Sequence, residues 1–111
     1  MHQDRPPLEE ILGDGAGAAA AMLRLLANEH RLLVLCTLIA EGEAPVGQLA
    51  RRAGLSQPAM SQHLARLRED GVVTTRRAGT RIQYRISDTR VSSLISHLKT
   101  LFCAMPDADT A

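Results

Sequence analysis

A mainly helical chain carrying one small β hairpin is predicted from three observations. The first is compositional: the 111 residues are 45% hydrophobic but only 2% aromatic, with no Trp, one Tyr and one Phe. A core built from Leu, Ile, Val, Ala and Met favours helices packed on helices, and the length suits one domain with one modest core. The second is VGQLARRAGLSQPAMSQHLARLRED, Val46 to Asp70, which reads as a short helix, a tight turn and a second helix. The third is VVTTRRAGTRIQYRI, Val72 to Ile86, which reads as two strands around a glycine-containing turn. Helix, turn, helix and hairpin in that order describe a winged helix-turn-helix.

Residues 1–17 carry two prolines, three glycines and four acids without an apolar period, the composition of a mobile leader. From Ala18 the run AAAAMLRLLAN is rich in the strongest helix formers and predicts a first helix ending near Asn28. Asn28 can cap a second helix that runs to about Glu41, with Glu29 favourable to the helix dipole. Leu32, Leu33, Val34, Leu35, Cys36, Leu38 and Ile39 occupy nearly its whole circumference. That pattern predicts a helix buried on most sides, with Cys36 in or beside the core.

Gly42 and Pro45 bracket a turn. Val46, Leu49 and Ala53 then give a short amphipathic helix ended by Gly54. Leu55 packs, Ser56 caps the next helix, and Pro58 falls in its first turn, where a missing N–H costs nothing. Met60, Leu64 and Leu67 form its buried stripe. At 100° per residue, Pro58, Ser61, Gln62, Ala65, Arg66 and Glu69 lie on the opposite side, with Gln57 at the leading end. Small residues let that face approach a surface closely, and Ser, Gln and Arg can reach base edges in a major groove. Taken singly these residues fit an ordinary solvated face, but the preceding helix and turn favour the DNA-reading interpretation. His63 lies on the flank of the buried stripe, where packing or a local hydrogen bond is expected.

Charge agrees with this assignment. Between Arg51 and Arg85 stand eight arginines against two acids, Glu69 and Asp70, although the whole chain carries only +1. Such local basicity is the footprint of a phosphate-binding surface. In the hairpin, Ile82, Tyr84 and Ile86 alternate with Arg81, Gln83 and Arg85, and RRAGT supplies a turn at Ala78–Gly79. One side can lie on the helices while Arg76, Arg77, Thr80 and Arg81 project near the tip toward phosphate or a minor groove.

Asp88 caps a last helix whose apolar positions, Val91, Leu94, Ile95, Leu98, Leu101 and Phe102, follow the helical period without a break. The stripe is long for a terminal helix. It is expected to pack on the first helix and on a second subunit, a wholly internal position being the alternative. The compact domain should span 18–104, with a flexible tail at 105–111. No apolar run approaches the roughly 20 residues of a membrane span, and MHQDRPPLEE is not a signal peptide, so a cytoplasmic protein is expected.

LANEHRLLVLCTL, LSQPAMSQHLARLRE and RIQYRIS, taken together and in this order, resemble the ArsR/SmtB family of bacterial winged-helix repressors over roughly Leu23 to Cys103. The resemblance implies a homodimer joined mainly by the first and last helices. It also implies that the dimer binds an imperfect palindrome of double-stranded operator DNA, represses, and is released by an inducer. By matching position, Gln57, Ser61 and Gln62 would contact bases, with Arg66 near the backbone and Arg77 and Arg81 on the wing. Two recognition helices related by a two-fold axis would read half-sites about one helical turn apart.

Two metal sites known in that family do not carry over. The cysteine-pair motif would fall at Pro45 and Gly47, which offer no ligand. The last-helix zinc site retains Asp88 and His97, but Arg90, Leu101 and Ala104 stand where its other ligands are needed, short of the three or four that zinc requires. No metal and no cofactor is expected. LLVLCTL and LKTLFCA instead resemble the persulfide-responsive, BigR/SqrR-like subgroup at both cysteines, which implies that Cys36 and Cys103 are sensing thiols modified by reactive sulfur species. Two scattered cysteines would otherwise pass for a small core residue and an incidental thiol. The alternative is a metal-responsive or constitutive repressor. An enzyme has little support: no nucleophile–base signature, phosphate loop or pair of acids in an apolar pocket is present.

Overall fold

A computed structural model of the chain describes residue 13 and residues 15–103. In order these form α1 (Gly15–Leu26), α2 (Glu29–Glu41), β1 (Ala44–Pro45), α3 (Val46–Ala53), α4 (Gln57–Glu69), β2 (Val73–Ala78), β3 (Arg81–Ile86) and α5 (Thr89–Phe102). The winged helix-turn-helix expected from the sequence is present, with one strand more than expected. Helix α1 begins at Gly15, ahead of the alanine run. Extending an existing helix gains a hydrogen bond for each residue fixed, so strong helix formers can recruit weaker neighbours. Residues 15–17 therefore belong to the helix and not to the leader. Residues 1–12 and 14 of that leader and the tail at 105–111 lie outside the described residues.

The helix starts are set by side-chain caps. Asn28 Oδ1 accepts from the Arg31 N–H at 3.1 Å, Ser56 Oγ from the Ala59 N–H at 3.2 Å, and Asp88 Oδ1 from the Arg90 N–H at 2.9 Å. Each such cap is worth about 1 kcal/mol. Between α3 and α4, Gly54 takes the left-handed conformation at φ 70°, which turns the chain sharply enough for its N–H to reach the Ala50 and Arg51 carbonyls.

Leu35, Leu49, Met60, Leu64, Leu67, Val91 and Ile95 are wholly buried and form the centre of the core. Full burial of such a side chain contributes roughly 1.5–3 kcal/mol. Met60, Leu64 and Leu67 are the stripe expected for α4, which packs on α3, β2 and α2. Helix α2 is less enclosed than its composition predicts. Leu33 is 42% exposed, and Leu32, Cys36 and Ile39 are half-buried. An all-round apolar sequence does not distinguish a flank covered by the chain itself from one left open, and here one flank is open. Helix α5 packs on α2 and β3, and α1 is not its main partner within the chain. Beyond Val91 and Ile95 its stripe runs out to Leu101 and Phe102, which are 59% and 80% exposed.

The sheet is antiparallel in the order β1-β3-β2. Strands β2 and β3 pair from Val73↔Ile86 to Ala78↔Arg81, so the turn residues are Gly79 and Thr80, one position beyond the expected turn, with Gly79 at φ 66°. Strand β1 pairs Ala44 with Tyr84 and Pro45 with Gln83. A proline is tolerated there because β1 is an edge strand. Buried Ala44 thereby anchors the wing to the loop between α2 and α3. Among the described residues, no helix is long and apolar enough to cross a membrane.

Candidate functional site

Two regions carry the residues singled out from the sequence. The first is the outer face of α4 with the wing. Burying Met60, Leu64 and Leu67 turns Gln57, Ser61, Gln62, Ala65 and Arg66 outward, and all five are exposed. Gly47 of α3 has a part in this. A Cβ built there would lie 3.3 Å from Gln57 Nε2, so the missing side chain leaves room for Gln57 at the leading end of α4. Close approach across the turn is a signal that sequence reading passed over, because Gly47 falls inside a helix with no obvious need for glycine.

On the wing, Arg77, Thr80 and Arg81 are exposed around the Gly79–Thr80 turn, where they were expected. Arg76 is also exposed but is already engaged. Its Nε and Nη2 donate to the two carboxylate oxygens of Glu43 at 3.1 and 2.8 Å, a bidentate pair that ties β2 across β3 to the start of β1. That hydrogen bond holds the Glu43 carboxyl below its ordinary range, with the nearby charges of Arg76 and Arg85 acting in the same direction against some desolvation. Of the four wing residues expected to face DNA, Arg76 is therefore the one whose donors are turned inward.

The second region is the groove between α2 and α5. Leu32, Leu33, Ile95, Leu98 and Phe102 line it, Glu29 and Lys99 stand at its edge, and both cysteines open onto it. Its volume is about 500 Å³. Cys36 comes from the middle of α2 and is half-buried. Cys103 is the exposed C-cap of α5, its N–H donating to the Lys99 carbonyl at 2.8 Å. Burial pushes the Cys36 thiol up, the neighbouring Cys103 adds to this, and the Lys99 ammonium opposes both. Two thiols far apart in sequence thus meet on one apolar surface, and each is free. Among the described residues, no three His, Cys, Asp or Glu side chains converge in a way that could hold a metal ion.

Of the two roles expected for His63, packing on the flank of the buried stripe is what the structure shows, and its hydrogen bond is not local. The ring is half-buried, and its Nδ1 accepts from Arg31 Nε of α2 at 3.3 Å, a contact across 32 residues of sequence. Arg31 was not singled out from the sequence, and only its position one turn into a helix facing α4 reveals it.

Helix, turn, recognition helix with an outward polar face, and basic wing define a DNA-binding transcriptional regulator. The family model described as bacterial regulatory protein, arsR family, matches residues 28–75. The chain is 40% identical to the Biofilm growth-associated repressor of Xylella fastidiosa over 106 residues, covering 94% of this chain and 92% of that protein. It is 46% identical to the Transcriptional activator HlyU of Vibrio cholerae over 85 residues, covering 77% and 78%. The crystal structure of the transcriptional repressor BigR from Xylella fastidiosa superposes with a TM-score of 0.78 at 39% identity, covering 89% of this chain and all of that one. The chain belongs to the ArsR family. Its relatives are transcriptional regulators and not enzymes, and members of the family bind operator DNA, typically as dimers.

Proposed function

We propose that this regulator is a homodimeric repressor that releases its operator when reactive sulfur species modify Cys36 and Cys103. The observation that carries the reading is the shared groove: two free thiols from separate helices open onto one apolar surface. Exposed Cys103 meets a sulfane-sulfur donor first. Its thiolate attacks the outer sulfur of a persulfide RSSH, forming Cys103–S–SH and releasing RS⁻. The Cys36 thiolate then attacks the Cys103 sulfur and expels HS⁻, closing a disulfide. The two thiols are oxidised, and the donor's two sulfurs leave as thiol and hydrogen sulfide. Each further equivalent of donor can pass on one more sulfur before closure, giving a polysulfide bridge. A raised Cys36 thiol suits the second role: it competes poorly for free donor, and when it attacks Cys103–S–SH its proton leaves with the expelled HS⁻ as H2S.

The bridge joins α2, which packs on α4, to α5, whose exposed Leu101 and Phe102 suit a subunit interface. Closing it changes how the two recognition helices are spaced. In this reading Gln57, Ser61 and Gln62 contact bases, Arg66, Arg77, Thr80 and Arg81 contact the backbone, and Arg76 contributes once it leaves Glu43. That the Xylella relative is a repressor by name supports repression as the sense of regulation.

The test is to treat the protein with a sulfane-sulfur donor and follow intact mass and operator gel shift on the same samples. A mass increase or loss of two hydrogen atoms, with operator release abolished in Cys36→Ser and Cys103→Ser, is expected. Release that persists in both variants, or follows zinc or copper instead of the donor, would point to the metal-responsive alternative.

A further inference from the structure

Arg31 of α2 hydrogen-bonds through its guanidinium to both α1 and α4. Its backbone N–H donates to Asn28 Oδ1 at 3.1 Å, which fixes it in the first turn of α2. From there Nη1 donates to the Leu25 carbonyl at 2.8 Å and Nε donates to His63 Nδ1 at 3.3 Å. Leu25 lies in the last turn of α1, where carbonyls have no partner within the helix, and its side chain is buried. His63 lies on α4 between Gln62 and Leu64, with the DNA-facing side chain on one side and the core on the other. Gln62 and Arg66 border the same shallow hollow as Arg31 and His63. The planar guanidinium can satisfy both acceptors only in one orientation, so the rotation of α4 about its axis is referred to the α1–α2 corner.

We infer that Arg31 is a positioning residue for DNA recognition: by bridging the Leu25 carbonyl and His63 it sets the angle at which α4 presents Gln57, Ser61 and Gln62. It touches no base itself. Losing it would leave the charge that binds phosphate on the wing and on Arg66 intact while blurring sequence discrimination. The inference stands on the family's DNA binding and is independent of the thiol chemistry.

The joint also has a defined protonation state. Nδ1 can accept from Arg31 only while it carries no proton. Facing His63 are Arg31 and His30 of α2, the His30 ring centroid 5.7 Å away, with Arg66 and Glu69 beside it on its own helix. Among the described residues, no charged group of α3 or the wing borders this hollow. Burial, then the Arg31 and His30 charges, hold the His63 proton affinity below that of a free imidazole. The joint is therefore intact at neutral pH and opens as pH falls through the lowered value.

The experiment uses the full reduced chain and two duplexes of equal length, one selected by this protein from a random pool and one scrambled, read by fluorescence anisotropy. Arg31→Met and Arg31→Lys should each weaken binding to the selected duplex about tenfold, the loss of a hydrogen bond to a charged group, and change scrambled-duplex binding far less. Lysine keeps the charge but cannot bridge both acceptors. The wild-type ratio of selected to scrambled affinity should fall as pH is lowered from neutrality through the depressed His63 value, although added positive charge by itself strengthens DNA binding. His63→Asn keeps an acceptor at the same branch of the side chain and should hold the ratio flat over that range. Arg31→Lys binding like wild type would overturn the inference, as would an acid-insensitive ratio or one with the same pH profile in His63→Asn. If Arg31→Met melts below the assay temperature, the pH profiles of the wild type and His63→Asn decide.

Discussion

The reading face and the thiol groove lie on opposite sides of α2 and are built from opposite materials. Around α4 and the wing the surface is polar and basic, and Met60, Leu64, Leu67, Val72 and Val73 are turned in, with Ile82 the large apolar side chain left exposed there. Between α2 and α5 the surface is apolar, Leu33 and Phe102 stand open, and the two polarisable groups are sulfurs. A nucleic acid is bound by donors and charge, which water does not hide from a phosphate. Thiols and sulfane-sulfur donors are soft, polarisable groups that an apolar surface accommodates. Under the proposed function recognition falls to one region and sensing to the other, with α2 as the shared wall.

Substitutions can break that separation or sharpen it. The largest effect is expected from Leu64→Ala, which removes a wholly buried side chain beneath the reading face. It should cost about 2–5 kcal/mol in urea unfolding and disturb both regions together, because they rest on one core. Gln62→Ala should act on recognition alone. The expected loss is about 1–3 kcal/mol of discrimination at the base it reads, seen as relaxed preference in a panel of single-base variants, with unchanged thermal melting and unchanged rate of thiol bridging. The smallest effects belong to the wing. Arg77→Ala should lower the slope of log affinity against log salt by about one phosphate contact, whereas Arg76→Ala should change it less because Glu43 already holds that guanidinium. Glu43→Gln should release Arg76 and steepen the slope. A slope that responds equally to Arg76→Ala and Arg77→Ala would show that DNA displaces Glu43 at no cost.

Much of this was legible from residues. The caps at Asn28, Ser56 and Asp88, the left-handed Gly54 and the Met60, Leu64, Leu67 stripe all stand where local rules put them, because each depends on neighbours within four residues. What escaped depends on distant chain segments. Strand β1 is two residues long and has no period of its own, so only the register of Tyr84 and Gln83 reveals it. The Arg31–His63 and Arg76–Glu43 contacts span 32 and 33 residues, and arginine composition alone could not say which guanidinium was already taken. The open flank of α2 was hidden for a related reason: hydrophobicity reports that a surface avoids water, not what covers it. For the thiols, resemblance supplied the pair, whereas spacing gave no means of bringing Cys36 and Cys103 together. The fold supplies that when it packs α5 on α2.

The central claim is that chemistry in the groove is felt at the reading face without loss of the fold. It is tested most directly by measuring the operator Kd of one sample three times, reduced, after sulfane-sulfur treatment, and after re-reduction, with far-UV circular dichroism recorded at each stage. Operator affinity at least about tenfold weaker in the bridged protein, full recovery on reduction and constant helical content are expected, a coupling of ordinary size. Bridged protein that binds its operator as tightly as reduced protein, or that loses binding only in step with lost helix, would contradict it.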